Sequence, residues 1–286
     1  MADVEAILLE TGRTVGGCLV IAYLEQEGER WFSCLVEPDA EGRWRARDAR
    51  GRLTPKYRIE LPGRPILGNG KSDNQNCALP FTRGSILQAI DCNQEGYLEE
   101  WFKLPNALRE FEGRGPREPP PPAIVGFREV IFSGLGSLGD FAASAELVFG
   151  TLVQRTMAYP LLSRYHYGHP DMFDKLGLIA QGGMSKATKN LNLSEDIFAG
   201  MDAQLRGREV AYREYFKVGK GRDMGCVSIL QFFSKLSQGT AQMTTSRQAL
   251  RLGKYLSICR LLGFYYAHIG SYLGQLHYYH VAYLQL

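Results

Sequence analysis

The sequence predicts a mixed α/β fold of the nucleotide-binding kind, with strands early and helices late. Three observations carry that expectation. The opening segments read as apolar runs of strand length separated by turns. A later apolar run, Ile86 to Ile90, ends abruptly in Asp91, and open α/β sheets bind ligands beyond the carboxyl ends of their strands. Past Pro122 the apolar spacing becomes mostly helical.

In order along the chain, Cys18 to Leu24 and Arg30 to Val36 are strand candidates parted by an acidic, glycine-containing turn, and Lys56 to Leu61 follows as a third. Pro62 to Gly70 holds two prolines and three glycines and reads as a loop. After the strand Ile86 to Ile90, Glu95 to Glu112 has helical periodicity, bent at Pro105. Gly113 to Pro122, ending in four consecutive prolines, is a surface connection and the best internal break. Helices are expected at Leu138 to Ala158, Met172 to Ala180, Ser194 to Leu205, Cys226 to Leu236 and from Thr245 onward, interrupted by one strand, Glu209 to Val218. There are no internal repeats.

The 286 residues suffice for one large domain or two small ones, and 45% hydrophobic with 22% charged residues rules out collagen, coiled coil and global disorder. A net charge of +3 argues against a nucleic-acid partner. The average conceals a bias: Arg206 to Arg260 holds eleven Lys/Arg against three Asp/Glu, a stretch prepared for something anionic. The six cysteines form no CxxC and no metal-ligand spacing, so reduced, buried thiols in a cytosol-facing domain are expected. The acidic N-terminus lacks the basic flank of a signal peptide. No clean apolar run reaches the length of a membrane span; the nearest approach is the aromatic-rich tail 256–286, which suits a bilayer interface or a buried helix.

Several clusters could carry chemistry. Gly68-Asn-Gly-Lys-Ser72 resembles a phosphate-binding loop, but Pro65 stands where the first glycine belongs and no buried strand precedes it. What remains is Lys71 near a flexible turn, followed by five polar side chains through Asn76, which a solvated turn would also explain. Asp91 could bond a nucleotide sugar, hold a divalent cation, or simply form a turn. Ser194 is a plausible N-cap for a helix whose first turn carries Glu195 and Asp196; these either serve the helix dipole or provide a general base toward a hydroxyl. Lys217, Lys220, Arg222 and Lys235 surround a glycine-rich loop that could receive a diphosphate or lie solvated. His166 and His169 lack a third metal ligand and read as structural.

These segments resemble a known family. Tyr57 through Asn76 is similar to the hallmark segment of the 1,3-β-glucan synthases, the fungal cell-wall glucan synthases and plant callose synthases. Ile90-Asp-Cys-Asn-Gln94, Tyr167-Gly-His-Pro-Asp171, Gly182 to Ala187, Ser194 to Gly200 and Val218 to Asp223 resemble further family motifs in the same order. The resemblance implies a GT-A-like glycosyltransferase core over 1–255 and an amphipathic tail, 256–286, leading toward a membrane block. It implies glucose transfer from UDP-glucose to the 3-hydroxyl of a growing β-1,3-glucan chain, at the plasma membrane with the catalytic domain facing the cytosol.

Carried over residue by residue, the resemblance gives Lys71, Asp73, Asn74, Asn76, Asp91, Lys220 and Arg222 as UDP-glucose-binding residues. It gives Asp196 or Glu195 as the acceptor base and Lys235, with Lys71, as a cation facing the leaving diphosphate. No resident cofactor is implied, though a divalent cation is a candidate. Synthase-complex subunits and a regulatory small GTPase are the implied protein partners. Two segments depart from the pattern: Gln181 stands where arginine is common, and Thr240 to Gln248 lacks two acids of the family's version. They favour an alternative, a truncated or non-catalytic relative that binds UDP-sugar or protein partners without making polymer. A nucleoside-triphosphate hydrolase would need Lys71 in a true phosphate loop.

Overall fold

The computed structural model describes residues 19–38, 54–65, 72–113, 119–132, 136–166, 168, 170–184, 193–221 and 225–285. The chain divides into two compact units near Arg83 and Gly84.

The first unit is an antiparallel three-stranded sheet, β1 (Ile21–Glu27), β2 (Arg30–Val36) and β3 (Tyr57–Glu60), with helix α1 (Ser72–Ala78). β2 is the central strand and carries the buried side chains Phe32, Cys34 and Val36. Ser33 Oγ donates to the Cys77 carbonyl at 3.1 Å and ties α1 to the sheet. Arg58 lies 3.4 Å from the centroid of the Phe32 ring while bonding Glu25 and Glu27, so its stem and charge are both engaged.

The second unit is built on a five-stranded sheet. Its strands are β4 (Ile86–Gln88), β5 (Gln94–Glu95), β6 (Ile124–Ile131), β7 (Met172–Asp174) and β8 (Val210–Lys220), in the spatial order β4-β7-β6-β8-β5. The parallel pair β6 and β8 forms its centre, and every other pairing is antiparallel. A register shift between Phe127 and Arg128 lets Phe216 turn fully inward against Phe127, with ring centroids 5.1 Å apart. The short helices α2 (Leu98–Trp101) and α3 (Leu104–Arg109) cover this core with Trp101, Leu104 and Ala107.

The helical half contains α4 (Ser137–Glu146), a π-helical stretch at Leu147–Val153, and α5 (Gln154–Ala158). It continues with α6 (Lys175–Ala180), α7 (Glu195–Leu205), α8 (Cys226–Thr244), α9 (Arg247–Tyr255), α10 (Ile258–Ala267) and α11 (Ile269–Gln285). Phe198 and Met201 of α7, Met243 of α8 and Leu252 of α9 close a second apolar cluster with Tyr165.

Several expectations are corrected. The chain past Pro122 was read as holding one strand, yet β6, the centre of the sheet, lies there. The helix expected over 95–112 is instead β5, α2 and α3, because Pro105 lacks an N–H and its ring would clash with the preceding turn, so it opens a new helix. Met172 to Asp174 is strand, and Asp174 caps α6 by accepting the Leu176 N–H at 3.1 Å. The helix from Cys226 runs eight residues past Leu236, and the final helical region breaks twice. The described cysteines are free thiols, but of these only Cys34 is buried; Cys92, Cys226 and Cys259 are exposed. No helix among the described residues is long and apolar enough to cross a membrane.

Candidate functional site

β4, β6 and β8 run in one direction, so Asp91, Glu129 and Lys220 meet at the carboxyl end of the sheet. Lys220 Nζ lies 2.8 Å from Asp91 Oδ2 and 3.3 Å from Glu129 Oε1. The loop is braced around them. Gln94 accepts the Asp91 N–H at 2.8 Å and donates to Glu129 at 2.8 Å, and Asn93 Nδ2 donates to the Gly221 carbonyl at 2.7 Å. The Ile-Asp-Cys-Asn-Gln motif is thus a clamp: its Asp holds a cation while its Asn and Gln fix β8 and Glu129. The cation between the two carboxylates is an ammonium. Among the described residues no group of three or more His, Cys, Asp or Glu side chains is placed to hold a metal ion.

A second constellation is buried beside this sheet. The Asp171 carboxylate accepts the Phe127 N–H at 3.2 Å and an Arg164 N–H at 3.2 Å, and it lies 2.6 Å from His166 Nδ1. Burial pushes Asp171 up, but Arg164, His166 and the Phe127 amide outweigh it and hold the acid below its ordinary range. The Asp171 carbonyl accepts the Ala89 N–H at 3.1 Å, two residues before Asp91, which joins the two constellations through one short piece of backbone.

Glu195 and Asp196 open α7. Ser194 occupies the N-cap position but makes no side-chain capping bond; Asp196 Oδ1 instead accepts the Ile197 N–H at 3.0 Å. Glu195 is buried and Asp196 half-buried. Burial, then the charge of Glu195, push the Asp196 carboxyl up to about 7 against the opposing influence of His166. α7 presses so closely on the preceding segment that a Cβ at Gly200 would fall 2.2 Å from the His166 nitrogen. That glycine, the last residue of the Ser194-to-Gly200 motif, is what allows α7 to pack against the Tyr165–His166 backbone.

Lys235 is on α8, whose Gly239, one turn later, packs against Ser194 Oγ, while Gln242 Oε1 accepts the Leu193 N–H at 3.1 Å. The face of α8 that carries Lys235 therefore borders the start of α7. Lys235 is exposed and has no ion-pair or hydrogen-bond partner among the described residues. Asp91, Lys220, Glu195, Asp196 and Lys235 all belong to the second unit. Asn74, exposed, and Asn76, half-buried, lie on α1 in the first. Lys71, Arg222 and the side chain of Asp73 lie outside the described residues.

Glu129, Arg164 and the His166–Asp171 pair were not singled out as working parts of a site. Glu129 sits on the strand that sequence reading missed. Tyr167 to Asp171 was legible as a motif, but that its acid would face His166 and Arg164 was not.

The chain matches the 1,3-beta-glucan synthase component family over residues 14–284. It belongs to that family. It is 44% identical over 278 residues to a 1,3-beta-glucan synthase component of Cordyceps militaris, an alignment covering 90% of this chain and 14% of that protein. It is 48% identical over 222 residues to callose synthase 7 of Arabidopsis thaliana, covering 77% of this chain and 11% of the plant protein. This glucan synthase family member thus spans about one seventh of the length of its fungal relatives. Of the segments read from sequence as departing from the family pattern, Gln181 closes α6 and donates to the Gly183 carbonyl at 3.4 Å, and 240–248 runs from the last turn of α8 through Ser246, which caps α9 by accepting the Ala249 N–H at 3.1 Å.

Proposed function

We propose that this chain is the GT-A-like catalytic core of a 1,3-β-glucan synthase, transferring glucose from UDP-glucose to the 3-hydroxyl of a growing β-1,3-glucan chain with inversion. The observation that carries the reading is Asp196, a carboxylate raised to about 7 beside Glu195, with the ammonium of Lys235, which has no partner among the described residues, on the bordering helix. A base with that affinity for protons is suited to accept one from a sugar hydroxyl at neutral pH.

In this scheme Asp196 takes the 3-hydroxyl proton as the oxygen attacks the anomeric carbon of glucose. The bond to the UDP oxygen breaks in the same displacement, which turns an α-linked donor into a β-linked product and needs no protein nucleophile. Lys235, with Arg222, offsets the charge gathering on the leaving diphosphate. Asp91, steadied by Lys220, bonds the nucleotide sugar. The setting is the plasma membrane with this domain facing the cytosol, within a synthase complex answering to a regulatory small GTPase.

The test is transfer and binding measured separately in membranes carrying the synthase. Asp196→Asn is expected to retain UDP-glucose binding and lose transfer by about 100-fold or more. Near-normal turnover in that variant would dismiss Asp196 as the base. The altered segment Thr240 to Gln248 favours a second reading, a relative that binds UDP-sugar without polymerising; it predicts saturable UDP-glucose binding with neither glucan nor free glucose produced by the unsubstituted chain.

A further inference from the structure

A cavity of about 350 Å³ opens at the end of the sheet opposite Asp91 and Lys220, beside Val210, the first residue of β8. Val210 pairs with Ile124 and Lys220 with Ile131. At roughly 3.3 Å per residue, the cavity therefore lies a distance of about 23 Å along β6 from the Asp91 clamp. Nothing in the proposed transfer chemistry uses it.

Its lining is unusual for a gap between helices and a strand. Arg164, Arg208 and Arg260, from three separate segments, face it together with Gln204 and a single acid, Glu209. Arg208 is already paired with Asp174 at 2.6 Å and donates its other outer nitrogen to the Pro121 and Pro122 carbonyls, so it lends the wall charge rather than a free fork. Arg260 has no ion pair among the described residues; its Nε donates to the Leu162 carbonyl at 2.8 Å, which fixes the guanidinium and leaves its two outer nitrogens for other work. Arg164 is 3% exposed, and although its outer nitrogens reach Asp171 and the Ala211 carbonyl, its buried Nε has no hydrogen-bond partner. That Nε is sealed from the cavity, so Arg164 lends the wall positive charge from behind, beside a volume large enough for a small molecule.

We propose that this cavity binds a small soluble phosphate monoester. Guanidinium forks match phosphate oxygens in charge and geometry. Glu209 and Gln204 complement hydroxyls on the remainder of such a ligand rather than a second phosphate. The volume accommodates a phosphorylated triose or hexose, and the site lies at the end of the sheet opposite the Asp91 clamp proposed for the donor.

Isothermal titration of the 286-residue chain with glycerol phosphate and with inorganic phosphate tests this directly. Both are expected to bind saturably, glycerol phosphate more tightly. Arg260→Gln should weaken glycerol phosphate by about tenfold or more, and Glu209→Gln should tighten it by about threefold, since it removes a like charge from the wall. The opposite signs of the two variants separate a site effect from a general loss of folding. Failure of glycerol phosphate to bind, or equal affinity in both variants, would overturn the assignment. Binding of a phosphoserine peptide without binding of glycerol phosphate would also overturn it, by giving the cavity to a protein partner.

Discussion

At Asp196 the requirement of catalysis and the stability of the fold pull against each other. Its carboxyl titrates near 7 in the folded chain against about 3.9 when unfolded. Between those values the folded state holds a proton that the unfolded state has released, so this residue's contribution to stability falls as pH rises through the window and is fully lost above 7. Asp196→Asn removes the penalty. Allowing for the partial exposure of the side chain, the variant should gain about 1–2 kcal/mol at pH 8, or about 2–8 °C in thermal midpoint. The gain should vanish at about pH 3, below both values, where the carboxyl is protonated in the folded and unfolded chain alike; a gain independent of pH would mean that the carboxyl is not perturbed. Lys235 belongs to the same scale. With no described partner to lose, Lys235→Ala should leave the thermal midpoint within about 1 °C while weakening UDP-glucose binding several-fold in an equilibrium assay. A large loss of stability would show that the ammonium serves the fold.

Among the elements, close approach decides what sequence reading could and could not see. β1 to β3 were legible because strand-length apolar runs alternate with turn residues. β6 was not. Gly126 and the adjacent charges Arg128 and Glu129 interrupt its apolar run, and each does so for a tertiary reason. A Cβ at Gly126 would come 2.2 Å from the Arg164 guanidinium, and Glu129 is needed by Lys220 and Gln94. α7 makes the same point at Gly200, where the crowding atoms are the backbone nitrogen of His166 and, at 2.9 Å, the Cα of Tyr165. Neither can swing aside. Gly200→Ala should therefore cost about 2–3 kcal/mol in denaturant unfolding. Gly253→Ala on α9, with nothing within 4 Å of the new methyl group, should instead stabilise by up to about 1 kcal/mol. Equal effects at the two positions would refute the packing of α7 described above.

Over the whole molecule, the family motifs were legible as text, but their assembly was not. The basic stretch 206–260 did foreshadow cations without fixing which would be neutralised. Arg208, Arg213 and Lys220 are taken by Asp174, Glu110 and the Asp91–Glu129 pair, while Lys235 and Arg260 have no ion pair among the described residues. The partners lie up to 129 residues away in sequence, beyond any local pattern. At the other end of the chain, Tyr278, Tyr279, Tyr283 and Leu284 are each at least 70% exposed, so the last turns of α11 add apolar surface without adding core. Removing residues 275–286 should leave the thermal midpoint within about 2 °C and reduce concentration-dependent self-association in sedimentation. A collapse of the midpoint would assign that segment to the core.

The parallel pairing of β6 with β8 also governs how the polypeptide is born. Ile124 meets Val210 only after everything between them has been synthesised, so a ribosome-tethered chain carries β6 without its parallel partner for some eighty codons, with β7 able to cover only Ile124 and Val125 before then. During that interval the exposed strand is open to wrong partners, and chaperone capture should peak before residue 220 clears the exit tunnel and subside once it has emerged.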